Sequence, residues 1–395
     1  MPIGRTILFV TVMTLGLAGL HLYVYLRVTR TLPFADPKTL KVVFSCLFAL
    51  LWLSFPLERL VPTSVSTPLL WISYSWLGSL ILLVSAYVGS DLFRLLLHGV
   101  SPALPVDNDR RTWLFRVADV AALGVGTSLS GFSLFQGVRK PIVRNVQVTL
   151  DKWPQSLLGF RIVQLTDVHI GPMLRKDWLA DIVKRVLALS PDLIVITGDL
   201  VDGSVQQLRH HVAPLADLRA PHGVFFVTGN HEYYSGVDAW LAEVTRLGIR
   251  VLRNEHVTLS APSGTQPGPE PTGFDLVGVD DFHAHMFPGH GADLTKALAG
   301  RDDRRPAVLL AHQPAAVLEA AERGIDLQLS GHTHAGQIWP WGYLVRLQQP
   351  YVFGLHRLRS TQIYVSAGTG YWGPPMRLGS QSEITLITLS PQQKP

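Results

Sequence analysis

Phe160-Arg-Ile-Val-Gln-Leu-Thr-Asp-Val-His169 decides the reading of this chain: a largely apolar, strand-like run that ends in an Asp and a His two positions apart. The same arrangement recurs. Leu193-Ile-Val-Ile-Thr197 runs into Gly198-Asp199-Leu-Val-Asp202, and Val224-Phe-Phe-Val-Thr228 into Gly229-Asn230-His231-Glu232. Ala307-Val-Leu-Leu-Ala311 delivers His312, and Leu327-Gln-Leu-Ser330 delivers Gly331-His332-Thr-His334. Short apolar runs bounded by turn residues read as buried strands. The ends of neighbouring strands can converge on one edge of a sheet, where open α/β proteins hold their sites. Taken singly, Asp-x-His reads equally well as a solvated turn, and Gly-Asn-His as a turn with a capping Asn. A row of strand ends offering only oxygen and imidazole is not explained that way.

The series resembles the calcineurin-like metallophosphoesterases, in their chain order of D-x-H, G-D-x-x-D, G-N-H-E, a lone His and G-H-x-H. The resemblance covers roughly residues 141 to 395. It implies a four-layer αββα sandwich and two divalent metal ions. Asp167, His169 and His334 would hold one ion; Asn230, His312 and His332 would hold the second, with the Asp199 carboxylate bridging both. His231 would be no ligand but the catalytic group beside the scissile phosphate, held by Asp202.

Elementary chemistry agrees with that expectation. Two divalent ions about 3.5–4 Å apart can share a hydroxide at neutral pH and clamp the oxygens of a phosphoryl group. A carboxylate can bridge two cations, whereas an imidazole gives one nitrogen to one ion, so Asp suits position 199. Mixed N and O donors without thiolate suit Mn, Fe or Zn, with Co and Ni also open, and exclude an Fe–S cluster. A His oriented by an Asp can stabilise charge or protonate a leaving oxygen.

One departure bears on substrate. Members of the family that act on phosphoproteins carry Arg directly after the second Asp of G-D-x-x-D; here that position is Gly203. Losing a bidentate phosphate donor counts against a phosphoprotein substrate. Gly331-His-Thr-His-Ala-Gly-Gln337 and Gly368-Thr-Gly370 look more like the membrane-anchored bacterial phosphohydrolases and animal transmembrane members of the family. Related bacterial enzymes split the pyrophosphate bond of UDP-diacylglucosamine, so a lipid-linked phosphoester or pyrophosphate is an expected substrate.

The front of the chain has a different composition. Charged residues are 16% overall, against about 25% in soluble domains, and the mean hydropathy is +0.24. Thr6–Leu26, Val42–Leu57, Leu69–Ser90 and Val117–Phe135 are apolar stretches separated by loops containing Pro33, Pro37, Pro62, Pro68, Pro102 and Pro105. About 20 apolar residues cross a bilayer, so residues 1–138 are expected to form about four transmembrane helices and residues 139–395 the catalytic domain. Val42–Leu57 is the shortest and contains Pro56; Asp119 lies near the start of the last. The first apolar run is too long for a signal peptide and lacks a cleavage site.

With four spans, the loops after the first and third carry Arg27, Arg30, Lys38, Lys41, Arg94, Arg110, Arg111 and Arg116. The opposite side carries Arg5, Arg59, Arg139, Lys140 and Arg144. The excess makes the first set cytoplasmic, which puts the catalytic domain outside an inner or plasma membrane; losing the second span reverses that result. The single cysteine, Cys46, permits no intrachain disulfide and leaves the compartment open. The net charge of +5 fits juxtamembrane anchoring better than nucleic-acid binding, since no basic-aromatic module appears.

Ile142–Leu150 alternates like an opening strand, Trp178–Leu189 and Val237–Leu247 read as helices, and Ser260–Gly273 as a surface loop. Gln362–Ser366 and Glu383–Leu389 read as a final pair of strands. His210, His211, His222, His283, His285 and His290 fall outside the motifs and read as surface or loop residues, with His283 the one placed to approach the site. Trp339, Trp341, Tyr343, Leu344, Val345 and Leu347 follow the last His motif and form either an apolar lip for acyl chains or an ordinary packed loop. A sensor or scaffold that binds a phosphorylated ligand without turnover is the alternative function. A transporter is disfavoured by the few ionisable residues in the spans.

Overall fold

The protein is described from a computed structural model covering residues 3–61, 63–100, 107–260 and 272–392. It divides into two compact units, Met1–Val138 with Gly373–Leu378, and Arg139–Trp372 with Gly379–Pro395. The boundary after Val138 is where composition changes; the short second contribution, Gly373–Leu378, has no signature in the sequence.

The first unit is helical: α1 Ile3–Thr31, α2 Pro37–Trp52, α3 Ser54–Leu60, α4 Thr63–Val100 and α5 Asn108–Val138. Among the described residues three helical stretches are long and apolar enough to cross a membrane, Val10–Thr31, Val65–Leu97 and Asn108–Val138. Their outward surface is apolar, with Leu15, Leu22, Leu95, Leu96, Val120 and Phe135 exposed, which suits lipid rather than water. The expected second span does not continue to Leu57. α2 has 16 residues and stops at Trp52, because Pro56 has no amide N–H and its ring would clash with the Trp52 carbonyl. The chain restarts as α3, with Pro56 in its first turn.

Polar groups gather inside this unit. Arg27 from α1 bonds Asp119 of α5 and Asp91 of α4, Arg94 of α4 also bonds Asp119, and Ser90 donates to Asp119 at 2.9 Å. Tyr23 donates to Asp91 at 2.6 Å. Each charge has an opposite partner, the condition under which burying it is tolerable.

Among its described residues the second unit holds twelve strands in two sheets. β1 (Ile142–Leu150), β2 (Phe160–Leu165), β3 (Leu193–Thr197), β4 (Val224–Val227), β5 (Arg250–Val251) and β12 (Glu383–Pro391) form the first, ordered β1-β12-β2-β3-β4-β5. β6 (Glu255–Ser260), β7 (Gly273–Gly278), β8 (Ala307–Leu310), β9 (Leu327–Ser330), β10 (Gly354–Leu358) and β11 (Thr361–Val365) form the second, ordered β10-β11-β9-β8-β7-β6. β2, β3, β4 and β5 run parallel, as do β7, β8, β9 and β11. The expected final strands exist but do not pair: β11 lies beside β9, and β12 enters the first sheet between β1 and β2. Most of the Ser260–Gly273 loop, residues 261–271, lies outside the described residues.

The core explains why the strands read as unbroken apolar runs. Ile162, Val195, Phe225 and Val227 of the first sheet meet Phe274, Leu276, Val308, Leu310 and Leu329 of the second. On the far face of the first sheet, Val163, Leu165, Ile194 and Ile196 pack on α6 (Lys176–Ala188) and α9 (Val237–Arg246), which lie to either side of α7 (Val205–Val212) and α8 (Asn230–Ser235) in the chain. On the far face of the second, Val277 and Leu309 pack with Leu294 of α10 (Leu294–Ala297) and Ala320 of α11 (Val317–Glu322). These are the four layers of the expected sandwich.

Candidate metal centre

Every motif residue follows a strand of the core. Asp167 and His169 follow β2, Asp199 and Asp202 follow β3, and Asn230 and His231 open α8 just after β4. His312 follows β8; His332 and His334 follow β9. Because these strands are parallel within each sheet, their carboxyl ends bring the donors to one edge. Asp167, His169, Asp199, His332 and His334 have φ of 51°, 51°, 53°, 71° and 50°. That left-handed backbone costs an L-residue on the order of 1 kcal/mol, and a cluster of it marks a site rather than a set of ordinary turns.

The donors fall into two groups sharing one carboxylate. Asp167, His169 and His334 present ligand atoms within 4.8 Å of one another, as do Asp199, His312 and His332. Asp199 Oδ1 accepts from the His231 backbone N–H at 2.9 Å, while Oδ2 lies 3.1 Å from His312 Nε2 and 3.9 Å from His169 Nε2. That carboxylate faces ring nitrogens of both groups. Asn230 Oδ1 is buried without a hydrogen-bond partner. So is His312 Nε2, which stands 3.1 Å from Asp199 Oδ2.

The residues fit a pair of divalent cations on these observations. His169 Nδ1 lies 3.1 Å from a carboxylate oxygen of Asp202, which as an acceptor orients that nitrogen as the N–H. The other nitrogen, Nε2, stands 3.1 Å from His334 Nε2, an arrangement a cation between the rings relieves. His312 Nδ1 donates to the Thr197 carbonyl at 2.8 Å, leaving Nε2 outward, as a ligating imidazole requires. Burial raises the pKa of Asp167, so that its ionised form awaits a positive partner. Burial, then the His312 charge, lowers His332 to about 3 and keeps it a neutral donor. Cations bound here would polarise a phosphoryl group and lower the pKa of water.

Asp202 has a wider role than holding His231. His231 Nδ1 donates to its Oδ1 at 2.6 Å, and His169 Nδ1 approaches the same carboxylate. Burial works against the Asp202 charge, but the two imidazoles hold its pKa well below the usual carboxylate range. For His231, burial disfavours the imidazolium, yet Asp199, Asp202 and the bond to Asp202 outweigh it and push the ring up to about 9 in the metal-free protein. His231 also falls within 4.8 Å of His169 and Asp199 as a possible ligand group. Its Nε2 sits 3.9 Å from Asp199 Oδ2, and the rings of Tyr234 and Trp372 stand 5.5 and 5.4 Å from its own.

Two residues behind the donors have roles that the sequence reading leaves unassigned, one of them the last residue of the G-N-H-E motif. Glu232 is buried and accepts from the backbone N–H groups of Gly229 at 2.7 Å, Leu200 at 2.8 Å and Asp199 at 3.0 Å. It ties the β3 and β4 loops together; a capping-box Glu three residues after Gly229 is the signal that could have found it. Gly229 passes so close that a Cβ there would lie 2.2 Å from Asp199 Oδ1. Glu232→Ala leaves three buried donors unpaired, at about 1–3 kcal/mol each. The unfolding midpoint of this variant should fall clearly in calorimetry at fixed metal concentration, with Glu232→Gln in between; an unchanged midpoint in both would remove Glu232 from this role. The other residue is Gln313, whose Nε2 donates to buried Asp281 at 3.0 Å and lies 2.9 Å from His283 Nδ1. His283 thus stands beside the centre, near enough to His332 to bear on its protonation. The His210 and His211 rings lie 3.7 Å apart, tilted to each other, and His222 packs on Phe160 at the end of β2 remote from Asp167.

Two packed mixed sheets with paired carboxylate, imidazole and amide donors at their strand ends define a metal-dependent phosphoesterase domain. A profile of the calcineurin-like phosphoesterase family matches residues 160–336. The chain is 42% identical over 276 residues to the transmembrane protein with metallophosphoesterase domain of Danio rerio, covering 68% of this chain and 62% of that protein. It is 39% identical over 277 residues to an uncharacterized metallophosphoesterase of Helicobacter pylori (strain ATCC 700392 / 26695), covering 69% and 71% respectively. With the uncharacterized metallophosphoesterase YkuE of Bacillus subtilis (strain 168), identity is 31% over 290 residues, 71% of this chain and 97% of that one. The match thus spans about three fifths of the zebrafish relative's length. The chain belongs to the calcineurin-like metallophosphoesterases, and its apolar helices together with that relative's name point to a membrane protein.

Proposed function

We propose that the protein is a membrane-anchored phosphoesterase with two divalent metals, most consistent with Mn, Fe or Zn, that hydrolyses a lipid-linked phosphoester or pyrophosphate. The observation that carries the reading is the shared Asp199 carboxylate between two complete donor groups. Asp167, His169 and His334 serve one side of it, and Asn230, His312 and His332 the other. His231, held by Asp202, protonates the leaving oxygen. The position that would hold a phosphate-clamping Arg is Gly203, whose N–H bonds Ser235 and whose carbonyl bonds Trp240, so it supports only the loop. A lipid-linked substrate is favoured by the apolar helices in the same chain and by the exposed rings of Tyr234 and Trp372 beside His231.

Purified protein in detergent, loaded with Mn, should hydrolyse bis-p-nitrophenyl phosphate and, at higher kcat/KM, a lipid pyrophosphate. Metal-dependent binding of the lipid without turnover of any ester would instead establish the sensor alternative. Topology is tested separately. Lys152 is exposed on the catalytic unit; in a Cys46→Ser background, Lys152→Cys should react with a membrane-impermeant maleimide in intact cells. Labelling only after lysis would put the catalytic unit in the cytoplasm. Only three helices among the described residues reach spanning length, so the same label placed ahead of α1 is needed to tell whether α2 crosses.

A further inference from the structure

The excursion between Ile338 and Gln349 is built with a fixed base and a bare apolar tip. At its entrance, Gln337 Nε2 donates to the Trp372 carbonyl at 2.9 Å, and its Oε1 accepts from the Trp372 N–H at 3.1 Å. Ile338 is buried. At its exit, buried Gln349 accepts from the Ala315 N–H at 3.0 Å and donates to Gln313 Oε1 at 3.1 Å. The two arms touch at Gly336 and Gly342, where a Cβ on Gly336 would lie 2.4 Å from the Gly342 Cα. Between these anchors Trp339, Trp341, Tyr343, Leu344 and Leu347 are all half exposed or more, Leu347 at 81%. Exposure on this scale rules out the packed-loop reading of the stretch.

The composition says what covers it. Trp and Tyr with a few Leu form the mixture enriched at the membrane–water interface, where amphipathic rings sit at headgroup level. Arg346 is exposed within the tip, and Arg357 and Arg359 are exposed just beyond it. No Asp or Glu occurs anywhere between Asp326 and Glu383. An apolar tip with a basic, acid-free surround complements an anionic lipid surface and offers nothing to a basic partner. The spanning-length helix α5 ends at Val138 and β1 begins at Ile142, so a tether of three residues joins the catalytic unit to that helix.

We propose that Trp339–Leu347 is a second, interfacial membrane contact: its aromatic and leucine side chains enter the headgroup region of an anionic bilayer, with Arg346 at the phosphates. The inference does not depend on which ester is cleaved. A failed lipid-ester screen leaves it standing, and its own failure leaves the phosphoesterase reading standing.

The test uses the full chain reconstituted in vesicles of phosphatidylcholine with phosphatidylglycerol. In a Cys46→Ser background, a nitroxide is placed at Leu344→Cys or, as a solvent-exposed control, at Lys152→Cys. Accessibility to lipid-soluble oxygen relative to a water-soluble nickel chelate should be several-fold higher at 344 than at 152. It should move toward the value at 152 in phosphatidylcholine alone or with Arg346→Gln. Equal ratios at the two positions would overturn the proposal. So would low accessibility to both reagents at 344, which would mean that protein covers the tip. Indifference to lipid charge and to Arg346→Gln would overturn the anionic part of it.

Discussion

Asp199→Ala is expected to strip both metals from the protein, and hydrolysis with them. Its Oδ2 faces His312 on one side and His169 on the other, while Oδ1 holds the His231 backbone N–H. Each other donor belongs to one group. Removing the shared carboxylate takes an anionic ligand from each side and leaves the cationic charges with no anion between them. Asp167→Ala is the comparison: it should deplete the His169–His334 side first, since Asp167 forms a ligand group with those two rings and meets His332 only through its backbone N–H. Elemental analysis of the purified variants reads the result. Full occupancy in Asp199→Ala would sink the bridging assignment. Loss of both metals in both variants would leave a binding order that couples the two sides.

The second large effect is at His231. His231→Asn should keep both metals and the fold and lower turnover by about 10²–10⁴, the usual worth of a positioned general acid. The bond from Nδ1 to Asp202 fixes the ring, and Asp202 remains paired with His169 when His231 is gone. Retained metal is therefore part of the expectation, and it separates a proton donor from a ligand, a distinction that proximity to His169 and Asp199 does not make. The loss should shrink for nitrophenyl esters, whose leaving groups need little protonation. An equal loss across leaving groups would reduce His231 to a charge stabiliser. Unchanged turnover of an alkoxide-leaving substrate would remove it from the reaction, and missing metal would make it a ligand.

The sequence reveals the site more fully than it reveals its support. Strands β2, β3, β4, β8 and β9 are buried on both faces, so each announces itself as an apolar run, and the donors stand at their ends. What escapes are pairings between residues far apart in the chain. Nothing near Asp202 tells that His169 shares it, and nothing near Gln313 tells that Asp281 lies opposite. β12 gives no local sign that it inserts between β1 and β2, because an extended apolar segment fits the interior of either sheet. Ionisable residues in the first unit are few, as its composition shows. Arg27, Asp91, Arg94 and Asp119 nevertheless meet, because α1, α4 and α5 bring their positions together. Pro56 is visible in Val42–Leu57, and the helix stops four residues before it, at Trp52.

The left-handed backbone at Asp167, His169, Asp199, His332 and His334 has a consequence for how this centre can change over generations. Outside glycine, the residues that tolerate this conformation are chiefly Asn, Asp and His. The turns therefore favour, before any metal is considered, the same side chains that can bind one. A substitution to a branched or bulky residue loses a donor and strains the chain at once. The substitutions the backbone accepts most readily are exchanges among donors, which alter the choice of metal, and replacement by glycine, which preserves the fold while silencing the chemistry. Drift at this edge of the sheets thus has two easy exits, a changed metal preference or a quiet scaffold, and few routes to a misfolded protein.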